Sequence, residues 1–232
     1  MKSLDTSSPN PNRRLRTKYV KSVKPPADNM LKSGRNNKKL GNYITKGRWK
    51  GMPLYSLTLE ERTSCPSYCE QWDNCYGNNM PFAIRYDHTH PDFLPLLRSQ
   101  LEALSMKHES GFVVRLHVLG DFYCREYVAW WRCMLNSIPN LHIYGYTHHR
   151  SFSQIGYSIV KMNRKYEERC RVRFSDDTAT LFSTSCVQGG PDDWHFGRTD
   201  LACPEQTGHV KSCATCTICW ESQDKNVVFF QH

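Results

Sequence analysis

The chain has 232 residues, 39% of them hydrophobic, enough to bury one sizeable core but not two large ones. No apolar run follows a basic N-terminal cap and no eighteen-residue apolar stretch occurs, so neither secretion nor membrane insertion is expected. The net charge of +9 is uneven: residues 1–50 carry 14 Lys/Arg against two Asp/Glu, and the remainder is slightly acidic. A basic end on a near-neutral body is the electrostatic footprint of a partner that carries phosphates, hence an expected nucleic-acid partner.

Residues 1–30, polar and broken by Pro25-Pro26, read as a flexible basic arm in which Arg13, Arg14, Arg16, Lys18, Lys21 and Lys24 are candidates for phosphate contact. Residues 31–200 read as an α/β core. A short strand over Leu54–Leu59 leads into a cysteine loop at 65–75. Leu94, Leu97, Leu101 and Leu104 then recur at helical spacing, and Phe112–Val118 is rich in β-formers. A helix over Tyr123–Ile138 ends at Pro139, a strand covers Leu141–Tyr146, and Ser151 is placed to cap a helix running to about Arg164. Cys170–Phe174 reads as a strand, a long Gly/Asp/Ser-rich loop follows, and Val227–Phe230 is a final strand. Residues 201–232 form a cysteine-cluster extension packed on the core. Alternating strands and helices favour a partial (β/α) barrel or an open parallel sheet with a cysteine-rich C-terminal extension.

Each expected strand is followed by a polar or sulfur-bearing motif. In parallel α/β architectures the loops at that strand edge converge on one crevice. The motifs are Cys65, Cys69 and Cys75, then Gly120-Asp121, then Thr147-His148-His149-Arg150, then Ser175-Asp176-Asp177. Asp121 and Asp176 are candidate catalytic carboxylates, Gly120, Asp121 and Ser175 candidate cofactor contacts, and Arg150 a candidate phosphate contact.

Eleven cysteines, an odd number at short spacings with no leader, suit metal ligation in a reducing cytoplasm better than disulfides. Three thiols within eleven residues at Cys65, Cys69 and Cys75 can surround one centre. Zinc would take a fourth ligand such as His88 or His90, whereas an iron–sulfur cluster can leave one iron open. Cys213, Cys216 and Cys219, at two consecutive C-x-x-C spacings, with Cys203 upstream, give a second centre, for which His232 is an alternative ligand and zinc or iron–sulfur are equally suited. Cys124, Cys133, Cys170 and Cys186 are scattered and read as packing residues, as do His117, Trp130, Trp131 and Met134.

In Asn37–Gly41, Cys65-Pro66…Cys69…Cys75-Tyr76, Arg115–Phe122, Tyr146-Thr147, Phe174–Asp177 and Cys213…Cys216…Cys219-Trp220, the sequence resembles the phage and plasmid gene-product-88 domain. That resemblance implies a mobile-element setting, and so a host-cell cytoplasm, more than a reaction. More loosely, the chain resembles radical S-adenosylmethionine enzymes, which carry a three-cysteine loop after the first strand and a Gly-Gly-Glu motif after the second. This implies a 4Fe-4S cluster on Cys65, Cys69 and Cys75 and S-adenosylmethionine near Gly120 and Asp121. The spacing here is C-x3-C-x5-C rather than C-x3-C-x2-C, Asp121 stands where Glu is usual, and Leu119 replaces the first glycine. Guanine transglycosylases, with a late Cys/Cys/Cys/His zinc site and an aspartate nucleophile, offer a second resemblance through Cys213, Cys216, Cys219 and His232. A zinc-stapled nucleic-acid-binding protein is the non-enzymatic alternative.

Overall fold

A computed structural model describes residues 15–177, 180 and 182–231. Arg13, Arg14 and His232 lie outside the described residues. Eight strands form one open sheet in the order β2 (Lys32–Ser33), β3 (Leu54–Ser56), β5 (Phe112–Leu116), β6 (Leu141–Thr147), β7 (Cys170–Ser175), β8 (Ser183–Val187), β10 (Asn226–Phe230) and β9 (Asp200–Ala202). All neighbours are parallel except β2 and β3. β1 (Val23–Lys24) and β4 (Arg85–Tyr86) make a separate two-stranded parallel pair. The sheet does not close into a barrel.

From β3 to β7 the order follows the chain, so right-handed crossovers place the helices on one face. α2 (Phe93–Lys107) buries Phe93, Leu97 and Leu101, α3 (Arg125–Ser137) buries Tyr127, Val128, Trp131, Met134 and Leu135, and α4 (Gln154–Lys165) buries Ile159 and Met162. These stripes at helical spacing pack on Phe112, Val114 and Leu116, on Leu141 and Ile143, and on Val172 and Phe174. The residues between them point to the other face, where a smaller core of Leu40, Ile44, Trp49, Leu54, Val113, Tyr144, Ala214 and Trp220 forms. That face also receives Arg115, Tyr146 and Arg173, an unusually polar set for a sheet interior.

Four sequence expectations need correction. Residues 15–30 are not a loose arm. Thr17 is buried and its amide donates to Glu60 Oε1 at 2.9 Å, Arg16 pairs with the same carboxylate at 2.9 Å, and Met30 is fully buried. Residues 201–232 are not an appendage, because β9 and β10 complete the main sheet and β10 lies between β8 and β9. The loop read after Ser175 contains β8 and β9, which are short, polar and weakly alternating. Ser153, not Ser151, caps α4, its hydroxyl accepting the Gly156 amide at 3.0 Å.

Candidate active site

β3 leads into α1 (Glu61–Ser64), and the first cysteine loop follows at once. Arg85, fully buried, pairs with Glu61 at 2.7 Å and donates to the carbonyls of Gly77, Met80 and Ala83, so the residues on both sides of the loop are anchored to one guanidinium. The exit of β6 latches the loop from outside. His149 donates from Nε2 to the Phe122 carbonyl at 2.7 Å, leaving Nδ1 to accept the Tyr68 hydroxyl at 3.2 Å. Arg150 pairs with Glu70 and donates to the Asp176 carbonyl at 2.6 Å. Arg150 thus holds loops together, and Arg16, though paired with Glu60, keeps a largely exposed side chain.

At the exit of β5, Gly120 has φ +91°, and a Cβ there would stand 2.6 Å from Ser64 Oγ and 2.8 Å from Leu59 Cβ. Only glycine meets both demands. Asp121 is buried; its Oδ1 accepts the Phe122 amide at 2.7 Å and its Oδ2 the His148 amide at 2.8 Å. The carboxylate thus ties the β5 and β6 exits together while each oxygen keeps a second lone pair.

The second cysteine set is held by backbone pairing. The amides of Cys213 and Ala214 donate to the carbonyls of Lys39 and Leu40 at 2.7 and 2.9 Å, and Gly41, at φ +80°, leaves no room for a side chain against Ser212 and Ala214. Within it, α5 (Cys213–Cys216) and α6 (Ile218–Glu221) meet at Thr217, which is left-handed at φ 67°. Arg173, fully buried, donates to the carbonyls of Ser183, Ile218, Cys219, Ser222 and Lys225. Trp220 stacks on Trp49 with ring centroids 5.5 Å apart. Tyr146 donates its hydroxyl to Cys219 Sγ at 3.0 Å.

Both sets open onto one cavity of about 270 Å³. Cys65, Cys69 and Cys75 line it, as do Cys203, Cys213, Cys216 and Cys219, together with Gly120, Asp121, His148 and Ser175. Four motifs that the sequence placed after successive strands thus face one space. Asp176 does not line it: its backbone is left-handed at φ 55°, its Oδ1 accepts the Cys186 amide at 3.1 Å, and burial raises its pKa. His88 and His90 also lie off the cavity; His88 packs on the Tyr123 ring.

Four lining residues in particular were missed or misread from sequence. Cys186, taken for packing, is on the wall, and so are Arg115 and Tyr146. His117 is not a satisfied core histidine. It has left-handed φ of 57°, its Nε2 meets the Tyr127 hydroxyl at 3.1 Å, and its buried Nδ1 has no partner. A charged residue inside a strand of β-formers, Arg115, was the one available signal.

Among the described residues no three His, Cys, Asp or Glu side chains stand together as an ion's ligands. Burial raises the Cys65 thiol well above its ordinary pKa and pushes those of Cys69 and Cys213 up to about 12, so the metal-free thiols are neutral. Neutral thiols have no charge to draw them around a common point; a metal ion, on binding, would displace their protons. In number and softness the two sets, three and four sulfurs on the walls of one cavity, fit a thiolate-bound metal or cluster.

The gene product 88 family profile matches residues 29–222. The chain belongs to this family. The matched span takes in both cysteine sets and the Lys39–Gly41 stretch that pairs with the second. Comparison with curated proteins and with solved structures gives no match.

Proposed function

We propose that this chain is a phage-type metalloenzyme that modifies a nucleic-acid base, with an iron–sulfur cluster on Cys65, Cys69 and Cys75 and S-adenosylmethionine as co-substrate. The observation that carries this is the shared cavity, since a protein whose cysteines only staple the fold has no need to present two sets to the same space. Cys65, Cys69 and Cys75 would hold the 4Fe-4S cluster, which would supply one-electron chemistry when bound. The chain's own residues would receive that co-substrate. Gly120 lets a ligand approach the backbone, the free lone pairs of Asp121 accept an ammonium group, and the Ser175 hydroxyl offers a further hydrogen bond. The second set, embedded in its own small core, acts mainly as a staple, holding zinc or an auxiliary cluster.

Anaerobically purified protein is expected to be brown, with iron and sulfide in ratios of a 4Fe-4S cluster, and to bind S-adenosylmethionine. Zinc at both sets with no iron would rule the proposal out and favour a zinc enzyme of transglycosylase type or a zinc-stapled binding protein. The nucleic-acid substrate rests on the basic N-terminal quarter, where Lys18, Lys21 and Lys24 are exposed. Replacing all three with Gln should lower the log–log salt slope of nucleic-acid binding by about 2 to 3, at roughly 0.7–0.9 per lost contact. An unchanged slope would remove these lysines from the interface.

A further inference from the structure

Arginines in the interior of this protein are held in two contrasting ways. Arg85 and Arg173 are fully buried, the first against Glu61 and a series of carbonyls, the second against five carbonyls. Arg115, at the centre of the sheet on β5, lines the cavity, yet among the described residues no hydrogen bond or ion pair reaches its guanidinium, and its Nε is buried without a partner. Its polar neighbours are the hydroxyls of Tyr144, Tyr146 and Tyr76 and the Cys213 thiol, with the Tyr146 ring 5.7 Å from the guanidinium carbon.

Every carboxylate on the cavity wall is already engaged: Glu61 with Arg85, Glu205 with Lys39 at 3.4 Å, and Asp121 with two amides. No carboxylate is therefore left to pair with Arg115, and an anion that enters the cavity would meet an unpaired cation. Two residues on, His117 borders the same cavity; its Nδ1 is buried without a partner, and its backbone is left-handed, a strained conformation of the sort that persists where the surroundings require it. Arg171 also lacks hydrogen bonds, but it lies off the cavity and covers the Phe182 ring at 4.1 Å, so it serves as a control.

We infer that Arg115 is the receptor for an anionic group, a carboxylate or a phosphate, of the ligand that occupies the cavity, with His117 Nδ1 adding a hydrogen bond beside it. This rests on the cavity being a ligand site and not on which metal the cysteines hold. The guanidinium fork suits two oxygens of either anion.

The test uses the full-length protein as isolated, with metal content measured for every variant. Inorganic phosphate and acetate are titrated separately while the arginine Nε–H resonances are followed by NMR. The Arg115 signal is assigned by its loss in Arg115→Gln. The expected result is a saturable shift of that signal with at least one anion, phosphate or acetate identifying which chemistry the site prefers. Affinity should fall at least tenfold in Arg115→Gln, fall severalfold in His117→Gln, and stay unchanged in Arg171→Gln. The wild-type titration decides the matter even if a variant fails to fold: no saturable response to either anion overturns the proposal. So does an equal response in folded Arg115→Gln. If Arg115→Gln loses metal and wild type ignores both anions, the guanidinium neutralises the cysteine set, and the anion site fails while the metal centres stand. Saturable, Arg115-dependent binding to protein that holds no metal keeps the anion site and sinks the metal centres.

Discussion

The segment bearing Cys213, Cys216 and Cys219 is sewn to the sheet, whereas the loop bearing Cys65, Cys69 and Cys75 is fastened at its ends and clipped from outside. The late segment pairs its amides with Lys39 and Leu40, gives its carbonyls to Arg173, and sinks Ala214 and Trp220 into a core with Trp49, Val113 and Tyr144. The early loop buries Trp72 and Cys69 but otherwise depends on side-chain latches, Tyr68 to His149, Glu70 to Arg150, and Gln231 to Gln71 at 2.8 Å. Latches of this sort, partly exposed, contribute little stability each. Of the two cysteine groups that line the cavity, one is thus built into the sheet and the other is held mainly by side-chain contacts. On the proposed function the early loop receives the ligand, and such segments are drawn from the less stable parts of a fold.

The largest expected effect that tests this contrast is Trp220→Ala, which removes a fully buried ring from the late segment and should cost about 3–5 kcal/mol in chemical unfolding. A loss below 1 kcal/mol would mean that the late set does not depend on that core.

Next is a pH effect in the same core, where His142 packs its ring on Trp49 at 5.3 Å and burial lowers its pKa from 6.5 to about 4. The folded state resists protonation while the unfolded chain accepts it. The stabilisation is therefore complete above pH 6.5 and is lost progressively as pH falls from there to about 4. The loss should total up to about 3 kcal/mol, and His142→Gln should flatten this part of the stability–pH curve. Identical curves for variant and wild type would show that His142 titrates alike in both states.

The smallest effect, and the most direct comparison, sets Cys216→Ser against Cys75→Ser. The first should destabilise the metal-free protein by about 1–3 kcal/mol, because a hydroxyl replaces a buried thiol. The second, on the half-buried loop, should cost less than about 1 kcal/mol yet abolish any metal bound at the early set. Equal costs would erase the distinction between the two segments.

Much of this was legible in the sequence because it is local. Leucines at helical spacing give α2, the β-formers at 112–116 and 141–147 give the central strands, and Pro139 ends the preceding helix, all from forces within a few residues. Trp131 and Met134 were rightly read as core. Placing a chemical motif after each strand also brought the early cysteines, Gly120-Asp121 and Ser175 to one strand edge, since that follows from the handedness of parallel crossovers.

Tertiary structure alone decided the rest. Strands β8 and β9 are recruited by β10 from a polar stretch with little intrinsic preference, since β propensity depends on what a strand packs against. Residues 15–30 are polar, but Glu60, Glu61 and Asn78 supply partners far along the chain that no local pattern announces. Arg150, Arg16 and Arg115 carry the same charge in the sequence. The fold commits the first two to carboxylates and leaves the third facing the cavity without one. Charge is fixed by residue type, but whether that charge is paired depends on which groups three-dimensional packing brings within reach.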